Sequence, residues 1–197
     1  MEFTDQEVAF FQQLFSEKPL DNDNLGGAGL SLRSTLPDYV APLFDNPGLY
    51  MLAEIGHFEL WFPLSLSLTE SNDIQPQLGA PEIFEAQGIH RSWRFDNPEG
   101  ISLRDQQGRL WPVRSLSSTG AVIDITSVKN PPQSAMANLI LPQYDALPLE
   151  LKKTRQQDNF VAVTFIANEN KRELRRYLFE QHKLHFQHIY QSLTNAC

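Results

Sequence analysis

The chain reads as a mainly β protein: two antiparallel β domains, a short helix leading the first and an amphipathic helix closing the second. Three patterns in its 197 residues predict this. Leu60, Phe62, Leu64, Leu66 and Leu68 alternate with polar residues such as Ser65 and Ser67, the period of two of a half-buried strand. Between residues 101 and 166, short apolar runs are separated by Gly, Pro, Asn and Asp, the rhythm of a small antiparallel barrel or sandwich. After Asn170 the period lengthens, and Leu174, Leu178, His182, Phe186, Ile189 and Leu193 fall on one helical face.

Each element follows from local chemistry. Thr4, Asp5, Gln6 and Glu7 form a capping box with Phe3 and Val8 as its staple, so a helix starts at Asp5 and ends before Pro19. Residues 21–29 are polar and Gly-rich and read as a loop. Strands are expected at 49–55 and 60–68, then at 82–86 after a polar, Pro-bearing connection over 70–81. The break at Gly88 ends the first domain, residues 1–88, and opens the second, 89–197. In the second, strands are expected at 101–103, 110–116, 121–125, 137–141, 147–151 and 160–166, six in all. A second capping box, from Asn170 to Glu173, starts a terminal helix of about six turns.

The charge is segregated along this order. Residues 1–89 carry 2 basic and 14 acidic side chains, residues 90–150 carry 6 of each, and residues 151–197 carry 8 basic and 4 acidic, for a net charge of −8. That balance argues against a protein that coats DNA. The only cysteine is Cys197, which leaves neither an internal disulfide nor a cysteine zinc site. The acidic start lacks the pattern of a secretory signal, and no apolar run reaches the ~20 residues of a membrane span, so a cytoplasmic protein without membrane insertion is expected.

Chemistry-bearing motifs are few. The loop Gly26, Gly27, Ala28, Gly29 lacks the Lys-Ser/Thr of a phosphate loop. His182, His185 and His188 recur every three residues but drift around the helix without an acidic or Cys partner in register, so no metal site is expected. No nucleophile or acid pair stands in a recognisable frame, and neither catalytic residues nor a cofactor are assigned. Lys171, Arg172, Arg175 and Arg176 read as a solvated helix face.

Two segments stand apart. His90, Arg91, Ser92, Trp93, Arg94 and Phe95 put two guanidinium groups and two aromatics into six residues directly after Gly88. About twenty residues on, Ser115, Leu116, Ser117, Ser118, Thr119 and Gly120 follow an expected strand. Together they resemble the two motifs of PilZ domains, bacterial receptors for cyclic di-GMP: R-x-x-x-R at the domain entrance and D/N-x-S-x-x-G on an early strand and turn. Phe160 to Phe165, followed by Arg172 to Leu178, is similar to the family's closing strand and terminal helix. The resemblance spans residues 89–197, and the acidic first half resembles the extra β domain of flagellar-brake-type members.

The resemblance implies a PilZ-like barrel and a ligand site made of His90, Arg91, Arg94, Ser115, Ser117 and Gly120. A planar Arg fork matches the phosphates and the O6 and N7 acceptors of a cyclic guanine dinucleotide. Two positions depart from the family pattern. At the motif's spacing the first Arg is His90, with Arg91 one residue out of step, and Ser115 replaces the Asp or Asn. Hydrogen bonds to charged groups contribute about 1.5–3 kcal/mol each, so losing two weakens binding on the order of 100- to 10,000-fold. The expected function is a non-enzymatic signalling adaptor that binds cyclic di-GMP at the domain junction and alters a surface for a protein partner, of the motility or surface-attachment machinery. The alternative is a PilZ-like interaction module that has lost the nucleotide. A homodimer is compatible with both.

Overall fold

The computed structural model describes residues 28–44, 48–68, 74–87, 90–126, 131–166 and 171–194. The expected N-terminal helix, the cap at Asn170 and the boundary at residues 88 and 89 lie outside them.

The first half builds one antiparallel sheet from β1 (Ala28–Arg33), β2 (Leu49–Ile55), β3 (Phe58–Leu68), β4 (Ile74–Leu78), β5 (Glu82–Glu85) and β6 (Arg91–Ser92). The strand order is β1-β2-β3-β5-β6, and β4 pairs with the far end of β3. Two strands correct the sequence expectation. Residues 28 and 29, expected in a loop, open β1, which pairs along its whole length with β2. Residues 74–78, expected in a connection, form β4. Both are edge strands, each paired with a neighbour along one side only, a relation that the pattern within the strand does not report. Pro76 has no N–H to donate, which an edge strand tolerates. Leu66, expected to face the core, is 52% exposed, beside this edge.

Sheet one is apolar on both faces. Met51, Ala53, Ile55, Phe58, Leu60, Phe62 and Ile83 join the main core, whereas Tyr50, Leu52, Trp61 and Phe84 pack with Val40 in a second cluster under the segment around the 3-10 turn Ala41–Leu43. This double burial makes β2 a nearly continuous apolar run.

The second half is a closed barrel. Its strands are β7 (Phe95–Asp96), β8 (Ser102–Asp105), β9 (Leu110–Leu116), β10 (Gly120–Asp124), β11 (Ser134–Ile140), β12 (Leu147–Gln157) and β13 (Phe160–Phe165). The order β10-β13-β12-β11-β8-β9 is closed by a β9–β10 pairing, and β7 pairs with the end of β9. Closure removes the sheet edges. Leu103, Leu116, Ile123, Leu139 and Leu149 fill the interior. All six expected barrel strands are present; β12 runs six residues past the expected end at Leu151, into a polar hairpin arm paired with β13.

The terminal helix is two: α1 (Lys171–His185) and α2 (Gln187–Thr194), broken at Phe186 where the sequence suggests one continuous helix. After the break Tyr190 Oη lies 2.7 Å from His182 Nδ1. His182 is 1% exposed, edge-on to Phe58 and Trp93, and burial lowers its pKa to about 3, with His185 and His57 adding to the effect. His185 and His188 are exposed, so the three do not share a site. Leu174, Leu178 and Phe179 of α1 are buried in the same cluster as sheet one and the barrel, each contributing about 1.5–3 kcal/mol. A closed six-stranded barrel with a C-terminal helix is the architecture that the PilZ resemblance implies.

Candidate ligand site at the strand crossover

The chain passes from sheet one to the barrel within residues 91–96. Arg91 and Ser92 pair with Glu85 and Phe84 of β5, and the Trp93 N–H donates to the Ile83 carbonyl at 2.8 Å. Two residues later Phe95 and Asp96 pair with Leu116 and Ser115 of β9. Trp93 is the anchor of the crossover: its ring is 6% exposed, stacked on Phe95 and edge-on to His182. The β7–β9 pairing therefore connects the end of the entrance segment to the strand that leads into the second motif segment.

Their side chains are in different conditions. His90 stacks on Tyr39 at 4.5 Å, and its Nδ1 lies 3.7 Å from Glu59 Oε1. Glu59 Oε2 also accepts from Tyr39 Oη at 2.7 Å and Trp61 Nε1 at 3.1 Å. Arg91 Nε donates to Glu85 Oε2 at 2.7 Å, which raises the guanidinium pKa. Arg94 is exposed, with no ion-pair partner among the described residues.

The hairpin segment is occupied by its own fold. Ser117 is fully buried; its Oγ donates to the Gly120 carbonyl at 3.1 Å and lies 3.2 Å from Thr119 Oγ1. Ser115 is 8% exposed, and its hydroxyl has no hydrogen-bond partner among the described residues. A Cβ on Gly120 would stand 2.2 Å from the Val163 carbonyl oxygen, so glycine is required by the close approach of β13. Of the six expected site residues, Arg94 alone is both exposed and unpaired.

Three groups went unnoticed in the sequence. Asp96, exposed and paired in register with Ser115, supplies a carboxylate next to the position where the motif lacks one. Glu85 faces Arg91 across the β5–β6 ladder, a relation that a hairpin register would have disclosed. Glu82, 1% exposed, lies 3.5 Å from Arg175 of α1, and 93 residues of separation hide that pair from any local pattern. Arg175 also donates to the Leu43 carbonyl at 3.2 Å and sits over the Phe44 ring. Burial raises the Glu82 pKa, and Arg175 opposes the shift. This pair ties sheet one to the terminal helix beside Ser118 and Trp93, which line the same small cavity.

Among other cations, Arg114 pairs with Asp124 and Arg109 with Asp105. No helix of the described residues is long and apolar enough to cross a membrane.

No family model and no curated protein matches the chain. Among solved structures, the uncharacterized Legionella protein Lpg0364 matches at 18% identity and a TM-score of 0.42, over 47% of this chain and 97% of that one. The complex of K. pneumonia MrkH with c-di-GMP matches at 15% identity and a TM-score of 0.39, over 82% and 80% of the two chains. Escherichia coli YcgR in complex with c-di-GMP matches at 11% identity and a TM-score of 0.39, over 84% and 88%.

Proposed function

We propose that this chain is a non-enzymatic signalling adaptor that takes up cyclic di-GMP, weakly, at the crossover between its two sheets. Residues 89–197 carry the ligand, residues 1–88 form the unit whose attachment responds, and the output is an altered surface for a protein partner in motility or surface-attachment control. The observation that carries the proposal is Arg94, an exposed guanidinium without an ion-pair partner among the described residues, directly before β7, whose exposed Asp96 pairs in register with Ser115. A guanidinium fork and a carboxylate on one short segment suit a ligand with phosphate oxygens and guanine N–H donors.

A second reading, a ligand-free interaction module, is favoured by Arg91 Nε and Ser117 Oγ, which already donate within the protein. Isothermal titration separates the two. The first predicts heat with a Kd of about 0.1–10 mM, the 100- to 10,000-fold weakening of a micromolar receptor that misses two charged hydrogen bonds. Absence of heat at millimolar cyclic di-GMP selects the second. Given binding, Arg94→Ala weakens affinity at least about tenfold.

A further inference from the structure

The entrance segment presents its cations unevenly. Arg91 stands opposite Glu85 in the β5–β6 register and donates to it at 2.7 Å, with the arginine side chain 65% exposed. His90 is stacked against Tyr39 and placed 3.7 Å from Glu59. Beyond the Trp93 anchor, Arg94 has no such partner among the described residues. An anion reaching this segment therefore meets one guanidinium ready to donate and one already donating to sheet one.

We infer that Glu85 is an affinity-setting residue, an internal anion that occupies Arg91 in the free protein and that a phosphate of cyclic di-GMP displaces. The inference rests on the ligand reading above. Transferring Arg91 Nε from Glu85 to a phosphate exchanges one charge-assisted hydrogen bond for another, so that N–H contributes only the difference between them. The exchange also removes the cross-strand side-chain pair that adds to the backbone pairing of the short β6 with β5. Ligand uptake thereby loosens the hold of sheet one on the crossover. That is the differential interaction with two arrangements that a ligand must have in order to bias one of them. Glu85 is the informative position because its contact with Arg91 is at the surface. Glu59 also accepts from Tyr39 and Trp61, and removing it would strand two donors.

Titration with cyclic di-GMP of the wild type, Glu85→Gln, Arg91→Ala and the double variant tests the idea, with Asp145→Asn as a control at an exposed acid on the far connection between β11 and β12. Glu85→Gln tightens binding about two- to fivefold, the size of an exposed ion pair. The gain disappears in the Arg91→Ala background, and Asp145→Asn leaves affinity unchanged. Wild-type binding without a gain in Glu85→Gln overturns the inference and leaves the ligand reading standing. So does a gain that persists without Arg91, or one equalled by Asp145→Asn, since either makes the effect one of net charge. No heat from any of the proteins overturns the ligand reading and the inference with it.

Discussion

The entrance segment, residues 90–94, and the hairpin segment, residues 115–120, are joined through the β7–β9 pairing, and each resembles a ligand motif with one position altered. Within the entrance segment, Trp93 alone is buried, and the basic side chains on either side of it stand at the surface, His90 and Arg91 against acids of sheet one and Arg94 without an ion-pair partner among the described residues. In the hairpin, Ser115, Ser117 and Ser118 are buried, and Gly120 is pressed against the β13 backbone. The same motif vocabulary thus does two jobs: charge offered to the outside in one segment, a tight turn in the other. Serine and glycine are what a close hairpin needs whether or not a ligand sits on it, whereas Arg94, exposed and without an ion-pair partner among the described residues, serves no packing of its own segment.

The comparison can be broken most forcefully at Gly120. Gly120→Ala forces β10 away from the Val163 carbonyl, and overpacking against backbone costs about 3 kcal/mol. Urea denaturation should show this loss without any ligand present, and an unshifted midpoint would remove the structural account of the hairpin.

Acid tests the anchor of the entrance segment. His182, edge-on to Trp93, has a folded pKa of about 3 against an ordinary 6.5, so the unfolded chain binds the extra proton between those values. Its contribution to stability is fully present above pH 6.5 and is lost as pH falls toward 3, by up to about 1.4 kcal/mol per pH unit. Glu82, whose pKa is raised, acts in the opposite sense, losing stability as pH rises above the ordinary carboxylate range. Thermal melts of wild type and His182→Phe across pH 4–7 isolate the histidine. Equal slopes in the two proteins would show that His182 is not titrating as described.

Ser117→Ala is the mildest test. It removes the hydroxyl that donates to the Gly120 carbonyl and costs about 1 kcal/mol by denaturation. If the hairpin is structural, affinity for cyclic di-GMP stays within twofold. A large loss of affinity at unchanged stability would assign the hydroxyl to the ligand and erase the difference between the segments.

Strands with one buried face were readable in advance, because alternation in β3 and the apolar cores of β9 and β13 are local facts. The edge strands β1 and β4 were not, since Leu32 stays exposed and Pro76 argues against a strand, while what makes each of them a strand is a backbone partner on a neighbouring element. The candidate site divides in the same way. Arg94 and the motif spacing could be read directly, but the capture of Arg91 by Glu85 depends on a register, and the burial of Ser115 depends on which way β9 faces once the barrel closes.

By itself the sequence determined the β character of both halves, the six barrel strands, the terminal amphipathic segment and the concentration of arginine after residue 90. Each is set by spacing or composition within a few residues. Only the tertiary structure decided which cations remain available, that Glu82 and Arg175 meet across 93 residues, and that the helix breaks at Phe186 to bring Tyr190 to His182. Those outcomes come from surfaces meeting in space, where burial, and the partner a charge finds there, fix what it is free to do.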